Sequence, residues 1–169
     1  LISNLGIERT ELWANKFVNN FARTPQGNDR SQLMAVANGL ADVAIANTYY
    51  IGIMLAGKGG QDQLEAANKL KIAFPNQDNR GTHVNISGGG ILKHSPNKDN
   101  GEKFLEFLLS EEAQIHIVNN SFEYPVIDTI APHPIIAEFG DFKMDQTSVA
   151  DFGTYNPDAV KLMDRAGWK

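Results

Sequence analysis

Residues 29–47 set the terms for the rest of the chain, because they place a helix, a short turn and an apolar strand pattern in immediate succession. Asp29 is placed to cap a helix over Ser31–Leu40, in which Leu33, Val36, Ala37 and Leu40 recur at helical spacing. Gly39 stands near its end, and Val43–Ala46 is an apolar run fit for a buried strand over Asp42–Asn47. Helix, turn and buried strand is the repeating unit of an α/β sheet. The strand pattern ends in Asn47-Thr-Tyr-Tyr50, which gathers an amide, a hydroxyl and two adjacent phenols in a chain with only four tyrosines. Open α/β sheets bind ligands in the crevice beyond the carboxyl ends of their strands, which is where this cluster falls. The competing reading is that one tyrosine packs while the other meets solvent, and pattern alone leaves both open.

The remaining elements alternate in the same way. Glu8–Phe21 is an amphipathic helix with Trp13, Phe17, Val18 and Phe21 on one face, followed by the loop Arg23–Asp29. After the tyrosines, Ile51–Ala56 and Asp62–Leu70 read as helices separated by Gly57-Lys-Gly-Gly60. Lys71–Phe74, His83–Ser87 and Ile91–Lys93 are short strand candidates. Ser95 as cap and Pro96 at the first helical position open a helix through about residue 110, and Ser110-Glu-Glu112 opens the next. Phe122–Pro134 reads as extended and Gly140–Gly153 as surface loop. In the last helix Asn156 caps, Pro157 opens and Gly167 closes. The strands are few and short for so many helices, which hints at strands supplied from elsewhere.

Composition matters chiefly for what it removes. With 42% hydrophobic and 21% charged residues the chain is globular in type, and a net charge of −5 argues against nucleic acid as a partner. The absence of cysteine excludes thiolate metal sites, thiol catalysis and disulfides together. The four histidines lack the i, i+4 pairing of a helical metal site, and no Gly-x-Ser-x-Gly elbow or triad stands out, so an enzyme is not indicated. Ser87-Gly-Gly-Gly90 lacks the lysine and the following helix of a phosphate loop, and reads instead as a bend or a close backbone approach.

The tyrosine pair survives these exclusions. A phenolate is a hard anionic oxygen donor, and a phenol with a pKa of about 10 is held ionised at neutral pH only by a strong Lewis acid such as ferric iron. Adjacent residues of a strand point to opposite faces, so both tyrosines reach one metal only if the strand has ended by Thr48. Two ligands do not fill an octahedral sphere, and Asn47 offers an amide to a bound anion or a coordinated water.

Several stretches then align with one known family. Asn47-Thr-Tyr-Tyr50, Gly27-Asn-Asp-Arg30 and Arg80–Gly90 resemble the periplasmic iron(III)-binding proteins of ABC-type iron uptake. So do Asn97-Lys98 with the helix Phe104–Leu108, Glu123-Tyr-Pro-Val126, and the ending Lys161–Trp168. The resemblance implies the C-terminal portion of a two-lobed type 2 periplasmic-binding-protein fold of the α/β class. Residues 1–84 and 135–169 would belong to the C-terminal lobe, and 85–134 to the N-terminal lobe. It also implies a periplasmic substrate-binding protein with Tyr49 and Tyr50 as tyrosinate ligands to Fe(III), and Asn47 and Asn28 beside a synergistic anion such as carbonate or phosphate. An inner-membrane ABC permease and the N-terminal half of the family chain are the implied partners. The alternative is the same fold binding an anion or small organic solute without metal.

Overall fold

The computed structural model describes residues 1–168, and the helical periodicities become nine helices among the described residues. A single turn, α1 (Ile2–Leu5), leads through Gly6 into α2 (Ile7–Asn19). Gly6 takes a left-handed φ of 77°, which an L side chain rarely adopts and which lets two helices join without a loop. Trp13 stacks on Phe17 at 4.9 Å, and Phe17 meets Phe21 edge-on at 5.4 Å. The ring that completes this row comes from the far end of the chain, where Trp168 lies 5.1 Å from Phe17 and 5.6 Å from Phe21. The buried positions of α2 are instead Thr10 and Ala14, and Ala14 joins Ile2 and Leu162 in one small core.

α3 (Asp29–Ala37) begins one residue earlier in its capping than the sequence suggests. Asn28, not Asp29, is the cap: its Oδ1 accepts from the Ser31 N–H at 3.2 Å, and Ser31 Oγ accepts from the Asn28 N–H at 3.4 Å. The expected stripe shortens accordingly. Leu33 and Ala35 are buried, whereas Leu40, beyond the helix end, is 60% exposed. Leu33 packs with Ile51, Met54, Ala66 and Ala67, the last four contributed by α4 (Thr48–Leu55) and α5 (Gln61–Ala67).

α6 (Lys98–Leu108) and α7 (Glu111–Ser121) form a hairpin. Ser95 and Pro96 do not start α6; Asn97 is its cap, and Ser95 Oγ instead accepts from the Asn97 N–H at 3.4 Å, tightening the turn before it. Ser110 caps α7 as expected, accepting from the Ala113 N–H at 3.3 Å. None of the residues of α6 is buried, so the apolar face of Phe104, Leu105 and Leu108 is only partly used. The stretch expected to be extended ends in a one-turn helix, α8 (Pro134–Ala137). α9 (Val149–Ala166) starts well before Asn156, with Ser148 as cap, so Pro157 lies inside it and part of the expected loop is helical. Proline there forfeits a bond to the carbonyl of Gly153, and the burial of Leu162 against α1 and α2 holds the helix together across that gap. Gly167 closes α9 with a left-handed φ of 75°, as the sequence indicates.

The strand candidates are where expectation and structure part. Among the described residues no strand ladder forms, and the only pairing outside helices of that kind is a parallel bridge between Thr82 and Met144. Residues 43–46, 71–74 and 82–85 nevertheless alternate between exposed and half-buried positions, the period-2 burial of a strand with one face covered. Val43 is 81% and Ile45 66% exposed, on the face turned away from the helices. These segments have strand-like burial without strand partners, which is why the α/β pattern in the sequence appears here as helices over unpaired segments.

α4 is seated more tightly than any other short helix. A Cβ on Gly52 would stand 2.9 Å from both Ile136 Cδ1 and Phe122 Cβ. Gly52→Ala is therefore expected to destabilise the fold by about 1–3 kcal/mol through overpacking, outweighing the better helix propensity of alanine. Urea unfolding measures this, and a variant as stable as wild type would show that the seat is loose.

Candidate metal centre

Tyr49 and Tyr50 stand in the first turn of α4, so the extended segment has ended at Asn47, as joint use of the two phenols requires. Their rings converge, with centroids 4.4 Å apart and planes inclined by 43°. Tyr50 packs against the Leu33–Met54 core, which fixes one ring of the pair from beneath. The hydroxyl of Tyr49 is pushed up to about 12 in pKa, first by its hydrogen-bonding interaction with the Tyr50 hydroxyl. Burial adds to this, and the negative charges of Tyr50, Asp29 and Glu123 follow. Every one of these causes penalises a bare phenolate, and a cation placed between the rings opposes them by favouring it.

Asp29 and Glu123 are thus the two carboxylates whose charge acts on Tyr49, and the sequence alone did not single out either for this role. Asp29 opens α3, and its Oδ2 accepts from the Asn47 backbone N–H at 3.3 Å and from Asn47 Nδ2 at 3.1 Å. Glu123 follows α7, where its Oε1 accepts from Ser87 Oγ at 2.5 Å and its Oε2 from Ser121 Oγ at 3.2 Å. The Ser87 contact ties the glycine segment to the site's surroundings. Within that segment only Gly89 meets a close neighbour: a Cβ there would stand 2.8 Å from Leu105 Cδ2, whereas Gly88 and Gly90 face open space. A usable signal for Glu123 was its place in Glu123-Tyr-Pro-Val126, and for Asp29 its place in Gly27-Asn-Asp-Arg30.

Asn47 caps α4 by position without a side-chain bond to that helix, its amide being drawn to Asp29. Asn28 lies at the other end of the same clasp, with its Oδ1 committed to Ser31. No group of three or more His, Cys, Asp or Glu among the described residues could hold a metal ion. Two of the histidines serve packing and capping: His83 lies against Phe152, and His133 Nδ1 accepts from the Ile135 N–H while its ring meets Phe122. No helix among the described residues is long and apolar enough to cross a membrane.

Comparison with known proteins finds relatives along nearly the whole chain. The chain is 47% identical over 164 residues to iron uptake protein A1 of Synechocystis, an alignment covering 97% of this chain and 45% of that protein. It is 43% identical over 166 residues to iron uptake protein A2 of the same organism, covering 97% and 48%. Among solved structures it superposes on a Trichodesmium protein in complex with iron and citrate, with a TM-score of 0.92 and 48% identity over 99% of this chain and 53% of that one. A ferric binding protein from Campylobacter jejuni gives a TM-score of 0.95 at 40% identity, again over 99% and 53%. The chain therefore spans about half the length of the relatives it matches, and its fold is a portion of the type 2 periplasmic-binding-protein fold. Residues 3–115 match the family described as bacterial extracellular solute-binding protein, and the chain belongs to that family, one of binding proteins and not of enzymes.

Proposed function

We propose that this chain carries the tyrosine side of a ferric-iron site in a periplasmic substrate-binding protein that hands iron to an ABC permease. Convergence of the Tyr49 and Tyr50 rings to 4.4 Å is the observation that carries this reading. Two hard oxygen donors at one point, flanked by Asp29 and Glu123 and without a thiol or histidine cluster nearby, favour a hard trivalent cation over a soft or neutral ligand. Relatives whose names specify ferric iron or iron uptake support the same ion. Residues 1–84 and 135–169 form one lobe in this proposal and 85–134 part of the other, with the α6–α7 hairpin standing largely apart from the remaining helices. The other ligands come from the remaining half of such a protein, across the cleft that closes on the metal. Asn28, through its free amide nitrogen, and Asn47 flank the place of an accompanying anion. Metal analysis after incubation with a ferric chelate tests the proposal: retained iron supports it, and retention of an organic solute or anion without metal sinks it.

The pH dependence follows from the phenols. Each tyrosine that ligates releases its proton, so the apparent iron affinity rises about tenfold per pH unit for each one. Because Tyr49 holds its proton up to about 12, this rise continues through the neutral and mildly alkaline range without a plateau. Chelate-competition titrations between pH 6 and about 9 check the slope. A flat profile would mean that the phenols stay neutral in the complex.

A further inference from the structure

Asp29 reaches from the start of α3 to the residue that opens α4. The two bonds from Asn47, at 3.3 and 3.1 Å, converge on one carboxylate oxygen across a sequence separation of 18 residues, in a part-buried setting. An asparagine at a helix cap ordinarily turns its own oxygen onto the N–H groups of the first turn. Asn47 makes no such bond. Asp29 is itself held by the Asn28–Ser31 capping box, and as the first residue of α3 its carboxylate sits where a helix favours negative charge. A local cap has been exchanged for a clamp between two helix starts.

Resting on the iron-site reading above, we propose that Asp29 is a positioning residue for the tyrosine pair: by binding Asn47 twice it fixes the first turn of α4 and so the direction in which Tyr49 and Tyr50 present their oxygens. The bonds of the Asp29 carboxylate go to Asn47, not to either tyrosine hydroxyl. Asp29 acts through Asn47, as outer partners of metal ligands generally do. The clamp uses one of the two N–H donors of the Asn47 amide, which leaves the other for an accompanying anion.

The test compares Asp29→Ala, which removes both acceptors, with Asp29→Asn, which keeps an oxygen in place but removes the charge. In the metal-free protein, the Tyr49 and Tyr50 ring resonances and the Asn47 side-chain amide are expected to shift in D29A and to return most of the way in D29N. On loading with a ferric chelate, D29A should lower affinity about tenfold and move the visible band maximum, with D29N again restoring most of both. Unmoved ring resonances in D29A overturn the proposal, whatever iron does. A lowered thermal midpoint with band and affinity unchanged overturns it too, since that is a structural role only. Equal effects of D29A and D29N assign the effect to charge and equally overturn positioning. A wild-type protein with no tyrosinate band defeats the iron reading instead, and the metal-free comparison still decides whether Asp29 orients the rings.

Discussion

Replacing Tyr49 and Tyr50 together with phenylalanine should abolish the visible tyrosinate-to-iron charge-transfer band and most of the ferric affinity. Phenylalanine keeps each ring, so the contact at 4.4 Å and the packing of the second ring on the Leu33–Met54 core persist. Only the two oxygens are lost. Removing an outer partner of a ligand costs up to about 100-fold in affinity, and removing two ligands outright should exceed that. Single variants separate the pair: each alone should weaken the band and shift its maximum, because the two phenols differ in burial and neighbours. Absorbance titration with a ferric chelate reads all three, with thermal midpoints confirming that the fold is intact. If the double variant keeps both band and affinity, the metal is held elsewhere.

The largest expected loss of stability is at Phe122, which is 1% exposed and lies where α7 gives way to the segment bearing Glu123. Its Cβ abuts Gly52 of α4, His133 meets its ring at 4.6 Å, and Lys58 Nζ stands 4.7 Å over the ring. Phe122→Ala should cost about 3–5 kcal/mol, the range for truncating a buried aromatic, against a total of about 5–15 kcal/mol for an ordinary domain. The backbone adds a second expectation. Phe122 has a φ of 62°, a left-handed conformation that burdens alanine as much as phenylalanine. Phe122→Gly loses the same ring but relieves that strain, so it should be about 1 kcal/mol more stable than the alanine variant. Urea midpoints with unchanged m-values measure both. A cost below about 1 kcal/mol for Phe122→Ala would mean that the surrounding side chains collapse into the space.

Much of this was readable from residues, and the failures have definite causes. Ser110 and Gly167 were legible because each acts locally: one hydroxyl on one N–H, one residue in the left-handed region. Asp29 reads as the cap of α3, and the reciprocal bonds of Ser31 assign that place to Asn28 instead. Pro157 misled because a proline that opens a helix and one carried inside it look alike in sequence; the difference is the tertiary burial of Leu162 five residues on. The apolar run at 43–46 reads as a buried strand, whereas Val43 and Ile45 are exposed and no ladder forms, since a ladder needs a partner that local pattern does not supply. At the site, the convergence of the phenols followed from where the strand had to end. The influence of Asp29 and Glu123 on Tyr49 did not, since it depends on how parts of the chain far apart in sequence are brought near α4.

The alternating burial of residues 43–46 and 71–74 has a consequence for assembly. Helices on one side already hold these segments in line, although no ladder bond does. Their amides should exchange freely with solvent while those of α4 are protected, because packing rather than hydrogen bonding gives them their shape. An incoming strand would therefore meet a straightened template and bear mainly its own loss of freedom on pairing. The covering helices thus act as a mould for the line these segments take.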